Sequence, residues 1–166
     1  MAVKAFFLDR DGVINEDTGY VFQEKHFHFV DGIFELCRTA MNKGYIIVVV
    51  TNQSGIERGY FTEADFQSLT QWMLSRFVAA GVVITEVLHC PMLSGHERKP
   101  NPGMFLAASK KHDIDMPASV SLGNSERDVQ AGRRAGVGMN VLLSHTNHES
   151  EADRVIATLK EMESIL

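Results

Sequence analysis

Runs of β-branched and aromatic residues alternate with stretches of helical spacing along this 166-residue chain, and each run stops at a polar cluster. Those two observations predict an α/β fold: a Rossmann-like three-layer sandwich with a central parallel sheet, since strand–helix–strand units cross over right-handed and cover both sheet faces. A third locates function. Every polar cluster falls after a strand and before a helix, so the clusters gather along the edge where open α/β sheets bind ligands. The composition, 45% hydrophobic and 22% charged, is that of an ordinary globular chain, and the length suits one domain over residues 1–166. A net charge of −5 argues against a nucleic-acid binder that relies on a basic surface, and no polybasic run invites an anionic membrane. Cys37 and Cys90 are too few for a disulfide framework. The amino-terminal apolar stretch is too short for a secretory leader, and no later run approaches the roughly 18 residues that span a bilayer. A cytoplasmic monomer is expected.

The first strand, Phe6-Phe7-Leu8, stops at Asp9-Arg10-Asp11-Gly12, two carboxylates one residue apart at the strand exit. Ideal alternation points Asp9 and Asp11 to one side, where they repel unless a cation lies between them. A polar, aromatic-studded loop follows, in which His26 and His28 alternate with phenylalanines as imidazoles on the wet side of a short extended segment. Ile33, Leu36, Cys37, Ala40 and Met41 then recur at helical spacing until Gly44. The β-branched run Tyr45 to Val50 predicts the second strand, which ends in Thr51-Asn52-Gln53-Ser54-Gly55. Thr62-Glu63-Ala64-Asp65 resembles a capping-box start for a helix carrying Phe66, Leu69, Met73 and Phe77. A third strand is expected over Val82 to Leu88, and Arg98-Lys99 precedes a helix opened by Pro102. Val120 to Leu122 reads as a fourth strand, Val129 to Ala135 as a small-residue helix, and Met139 to Leu143 as a fifth strand. Apolar positions from Ala152 to Leu166 at helical spacing predict a closing helix.

Gathered at one edge, these groups take complementary roles around an anion. Asp9, Asp11 and an oxygen from the Asn124-to-Asp128 loop suit Mg²⁺, a hard cation that prefers oxygen ligands and offsets carboxylate repulsion. Asp9, on the rigid strand end, is the better nucleophile toward phosphorus. Asp11, on the looser turn, is the better acid and base. Thr51 and Lys99 are placed to stabilise the charge that spreads over the equatorial phosphoryl oxygens.

In order, Asp9-Arg10-Asp11-Gly12, Thr51, Lys99 and the loop from Asn124 to Asp128 resemble the four motifs of the haloacid dehalogenase (HAD) superfamily of phosphohydrolases. The extended segments Asp9 to Asn15, Thr51 to Ile56 with Arg58-Gly59-Tyr60, and Arg98 to Met104 resemble its histidinol-phosphate and heptose-bisphosphate phosphatase branch over nearly the whole chain. The resemblance implies a Mg²⁺-dependent phosphomonoester hydrolase that works through an aspartyl-phosphate. Asp9 would be the nucleophile and Asp11 the proton donor, both on the metal, Asp11 through its main-chain carbonyl. Thr51 and Lys99 would stabilise the phosphoryl group. Asp17, Thr18, Gly19, Tyr20, Asn52, Gln53, Ser54, Arg58, Arg98 and Ser125 would contact substrate. The heptose arm of the branch implies removal of the 7-phosphate of D-glycero-D-manno-heptose 1,7-bisphosphate during lipopolysaccharide-core precursor synthesis. The partner is then a small sugar phosphate, with no nucleic acid and no membrane.

The chain departs from the branch in two places. Gly123-Asn124 stands where Gly-Asp is common, so Asn124 would offer the metal an amide oxygen, with Glu126 or Asp128 the source of the missing carboxylate. The loop before Arg98 often holds structural zinc on three cysteines and one histidine. Here only Cys90 matches and Met92 stands at the histidine position, so no zinc is expected. Neither interval between the motifs is long enough for a cap domain, which implies an open, capless site. Two alternatives stay open: histidinol-phosphate phosphatase on the same scaffold, and a phosphate-ligand or partner-binding module with an impaired metal site.

Overall fold

Ala5, Phe6, Phe7 and Leu8 are completely buried, and a strand with no wet face belongs in the middle of a covered sheet. That is where β1 (Lys4–Leu8) lies in the computed structural model, which describes residues 2–146 and 148–166. β1 pairs in parallel with β2 (Tyr45–Asn52) on one side and β4 (Val120–Gly123) on the other. With β3 (Glu86–Cys90), β5 (Met139–Leu143) and β6 (Arg154–Ile156), the sheet runs in the order β3-β2-β1-β4-β5-β6. The chain builds outward from β1 to β3, then returns to β4 and builds the other way. This reversal opens a crevice beyond the carboxyl ends of β1 and β4, the ligand position of doubly wound sheets.

Alternate strand residues feed two cores. Phe6, Leu8, Ile47 and Val49 pack with the helices α1 (Ile33–Asn42) and α2 (Glu63–Ala79) and with the short α5 (Leu159–Glu163). Ala5, Phe7, Val48 and Val50 face the other layer, formed by α3 (Gly103–His112) and α4 (Glu126–Arg134). Cys37 is buried in the first core, where burial pushes its thiol up to about 12, so it is packing material and not a nucleophile. The expected capping box at α2 is present in both halves: Thr62 Oγ1 accepts from Asp65 N at 3.0 Å, and Asp65 Oδ2 accepts from Thr62 N at 2.8 Å.

Three segments differ from the sequence pattern, the first being the helix expected from Val129, which starts at Glu126 because Ser125 and Asp128 form a capping box. The expected strand over Val82 to Leu88 begins later, at Glu86. Gly81 turns the chain out of α2 at φ +79°, and Val82 drops into the core before the strand pairs with β2. The expected closing helix is a short edge strand, β6, followed by a single helical turn and a half. Arg154, Val155 and Ile156 find partners on Val141, Leu142 and Leu143, and a ladder along an open sheet edge outweighs the weak helical periodicity of the tail.

Candidate active site

Asp9 is the first residue beyond β1, and its N–H donates to Leu122 O at 3.1 Å, which ties it to the end of β4. Its Oδ1 accepts from Arg10 N at 2.8 Å and from Lys99 Nζ at 3.1 Å. Oδ2 meets no protein donor among the described residues. Burial, then the neighbouring charge of Asp128, push the Asp9 carboxyl up from 3.8 to about 7, with Lys99 opposing them and Asp11 adding to them.

Lys99 is buried to 2% exposure and reaches three acceptors: Asp128 Oδ1 at 2.6 Å, Val50 O at 2.7 Å and Asp9 Oδ1 at 3.1 Å. Burial works against the ammonium charge, but Asp128 and Asp9 outweigh it and hold the lysine above its ordinary value. The Asn52 side chain fixes the Lys99 backbone at two points, accepting from its N–H at 3.0 Å and donating to its carbonyl at 3.0 Å. Asp128 gives its second oxygen to the start of α4: Oδ2 accepts from the N–H groups of Asn124 and Ser125, each at 3.0 Å. Both Asp128 oxygens are therefore taken by protein donors.

Asp11 is gripped from two sides. Its Oδ1 accepts from Arg10 Nη2 at 2.9 Å and Asn15 Nδ2 at 3.0 Å, and its Oδ2 accepts from Gln53 Nε2 at 2.9 Å. Arg10 is itself 1% exposed and donates onward to Val21 O at 2.7 Å, with its guanidinium over the rings of Phe27 and Phe66. The same Gln53 nitrogen lies 3.0 Å from Thr51 Oγ1. Gln53, expected to meet substrate, thus spends its amide on orienting Asp11 and Thr51. Arg10 and Asn15 received no role from the sequence; a cation embedded between Phe6–Leu8 and Val13-Ile14 was the signal that it would be buried.

These groups surround a cavity of about 370 Å³ whose walls include Asp9, Asp11, Lys99, Asn124, Ser125 and Asp128. Asp17, Gly19, Tyr20, Asn52, Gln53, Ser54, Arg58 and Arg98, all expected at the site, also line it. Thr18 does not line the cavity, and Thr51 is buried at its back with 1% exposure. Arg127 lines it without having been expected there.

Asp9, Asp11 and Asn124 all line the cavity, and among the described residues Asp9 Oδ2, the Asp11 carbonyl and the Asn124 side-chain amide oxygen accept no protein hydrogen bond. Gly12 makes room for that amide, since a Cβ at this position would lie 2.0 Å from Asn124 Nδ2. A hard, all-oxygen donor set between repelling carboxylates fits Mg²⁺ in character. Among the described residues, no group of three or more His, Cys, Asp and Glu side chains is arranged for a metal ion, so such a site depends on the carbonyl and the amide. In the loop before Lys99, the Cys90 thiol donates to Met92 O, Leu93 N donates to Glu57, and Arg98 Nη1 donates to Met92 O at 3.2 Å.

A buried aspartate at the end of the central strand, a lysine beside it and a second aspartate on the next turn define an aspartate-based phosphohydrolase of the HAD type. The chain matches the family model described as polynucleotide kinase 3 phosphatase over residues 2–163 and belongs to that family. It is 45% identical to D-glycero-alpha-D-manno-heptose-1,7-bisphosphate 7-phosphatase of Campylobacter jejuni, covering 98% of this chain and 95% of the relative. It is 44% identical to D-glycero-beta-D-manno-heptose-1,7-bisphosphate 7-phosphatase of Vibrio cholerae, covering 96% and 91%. Among solved structures, D,D-heptose 1,7-bisphosphate phosphatase from B. bronchiseptica, complexed with magnesium and phosphate, superposes with a TM-score of 0.88 at 27% identity over 98% of this chain and 97% of that one. The resemblance to HAD phosphatases drawn from the motifs is thereby borne out, as is the parallel α/β architecture.

Proposed function

We propose that this phosphatase removes the 7-phosphate of D-glycero-D-manno-heptose 1,7-bisphosphate, as the names of its relatives describe for them. The observation that carries the chemistry is the Asp9 carboxylate, pinned through Oδ1 by Lys99 and Arg10 N while Oδ2 is without a protein donor among the described residues. That oxygen forms a bond to phosphorus as the bond from phosphorus to the sugar oxygen breaks. The departing electron pair stays on the sugar oxygen, which takes a proton from Asp11. Asp11 then accepts a proton from water as the water oxygen attacks the aspartyl-phosphate, releasing inorganic phosphate and restoring Asp9. Lys99, held in place by Asp128 and Asn52, stabilises the charge on the transferring group, with the Thr51 hydroxyl set by Gln53. Asp9, the Asp11 carbonyl and Asn124 would hold Mg²⁺, which supplies charge neutralisation for the phosphoryl oxygens and the carboxylates. Asp128, with both oxygens engaged, serves as the anchor of Lys99. No helix among the described residues is long and apolar enough to cross a membrane.

The test is Mg²⁺-dependent phosphate release from both anomers of heptose 1,7-bisphosphate, histidinol phosphate and fructose 1,6-bisphosphate, with Asp9→Asn as the blank. The expected result is preference for a heptose anomer with loss of the 7-phosphate resonance in phosphorus NMR. Preference for histidinol phosphate would overturn the substrate assignment. No release from any substrate would overturn the catalytic reading.

A further inference from the structure

Besides Lys99, which meets the reacting phosphoryl group, three arginines line the cavity, and among its carboxylates only Asp9, Asp11 and Asp128 are in ion pairs with protein cations among the described residues. Lys99 is consumed by Asp9 and Asp128, and Arg10 by Asp11. Arg58, Arg98 and Arg127 also line the cavity, and none of them is in an ion pair among the described residues. Arg98 is partly occupied, since Nη1 donates to Met92 O. Arg127 makes no hydrogen bond to protein among the described residues and its side chain is exposed.

The position of Arg127 sharpens the point. It is the second residue of α4, after the Ser125 cap and Glu126. Aligned peptide dipoles put partial positive charge at that end of a helix, so a cation there is disfavoured unless an anion offsets it. The two acids of that turn point elsewhere: Asp128 has Oδ1 on Lys99 and Oδ2 on the amides of Asn124 and Ser125, and Glu126 turns Oε2 to Glu151 N at 3.3 Å, with no ion pair to Arg127 among the described residues. In a chain of net charge −5, an unpaired guanidinium on the wall of a phosphate cavity is a site for an anion. The planar fork of donors suits the oxygens of a phosphate better than a hydroxyl or an amine.

The structure assigns Arg127 to the second, non-reacting phosphate of a bisphosphate substrate, in a subsite on the α4 wall of the same cavity that holds Asp9. The assignment rests on the phosphatase reading above, and it makes Arg127 a specificity residue and not a catalytic one. It also gives the cavity a physical reason to reject a substrate whose far end is an ammonium, because like charges then face each other without a counterion.

The experiment compares kcat/KM on matched pairs, heptose 1,7-bisphosphate with heptose 7-phosphate and fructose 1,6-bisphosphate with fructose 6-phosphate, for the wild-type enzyme, Arg127→Gln and Arg127→Lys. The expected result is a wild-type preference for the bisphosphate in the pair it hydrolyses. That preference ratio falls about tenfold in Arg127→Gln, chiefly through KM, and is partly restored in Arg127→Lys. An unchanged ratio in Arg127→Gln, or no wild-type preference for either bisphosphate, overturns the subsite. If the heptose pair is not hydrolysed while the fructose pair shows an Arg127-dependent preference, the sugar assignment fails and the subsite stands. If no pair is hydrolysed, binding of fructose 1,6-bisphosphate against fructose 6-phosphate by calorimetry decides it, the same Arg127-dependent ratio supporting the subsite and equal affinities overturning it.

Discussion

Two clusters of similar composition lie at different depths in this molecule and are in opposite electrostatic states. At the amino-terminal end of β3, Glu86 accepts from Lys111 Nζ at 2.6 Å and pairs with His112 Nε2 at 2.6 Å. Burial would raise its carboxyl, but those two partners outweigh burial and hold it below the ordinary value. At the carboxyl end of β1, two carboxylates share Lys99, and Asp9 is pushed up to about 7 by burial and by Asp128. The surface cluster has enough cation for its acid. The buried one falls short, and the deficit is a state that a divalent cation and an electrophilic phosphorus relieve.

The largest effects follow from disturbing the deficient cluster. Asp9→Asn is expected to reduce turnover by at least about 10³-fold, because no other carboxylate oxygen can form the bond to phosphorus. The same variant should be more stable than wild type without metal, by an amount of the order of 2 kcal/mol at pH 8. With a raised native value the folded state holds its proton longer than the unfolded state, so ionising Asp9 costs stability as pH rises from about 4 to 7. The gain from Asn should therefore be absent near pH 3, grow across that window and level off above it, as thermal melts in chelator would record. Lys99→Met does the reverse. It leaves Asp9 and Asp128 buried without their cation, a loss of about 3 kcal/mol at neutral pH, with activity abolished. Melting below pH 6, where Asp9 takes up its proton, should show a smaller loss.

Gln53 and Asn124 give smaller, separable effects. Gln53→Leu removes the amide shared by Asp11 and Thr51, and misplacing both groups should lower kcat by about tenfold to a hundredfold with little change in KM. A rise in KM at constant kcat would instead return Gln53 to substrate contact. Asn124→Asp adds a carboxylate beside Gly12 and should lower the Mg²⁺ concentration for half-maximal activity by about tenfold while lowering the melting temperature without metal.

The contrast between the clusters also explains what the sequence conveyed. That Asp9, Asn52, Lys99 and Asn124 line one cavity was legible because each lies at a strand end or before a helix start, and strand order alone brings those ends together. The apolar runs fixed β1, β2 and the α2 face for the same local reason. Roles that depend on distant partners were not legible. Nothing near Gln53 in sequence announces that its amide bridges Thr51 and Asp11, a residue 42 positions away. Asp128 is expected at the metal from its place in the loop, and nothing near it in sequence announces that it also anchors Lys99, 29 positions away, and caps α4. The tail misled because Val155 and Ile156 satisfy helical and extended patterns alike, and only the free edge of β5 decides between them.

The smallest expected effect comes from the satisfied cluster. Glu86→Gln replaces a carboxylate that has two partners, one of which, Lys111, is mostly in water with 64% of its side chain exposed. Exposed pairs of this kind contribute up to about 1 kcal/mol, so the variant should melt only slightly lower at pH 7. Because the native carboxyl lies below its ordinary value, its contribution is present above about pH 4.5 and disappears as pH falls through the native value. The difference between Glu86→Gln and wild type should thus close in acid and shrink in high salt, whereas the Asp9→Asn difference closes in acid with the opposite sign and resists salt because its charges are buried. If high salt erased the Asp9→Asn gain as readily as the Glu86→Gln loss, solvent would screen the two clusters equally, and the depth of Lys99 would no longer account for the raised Asp9 carboxyl.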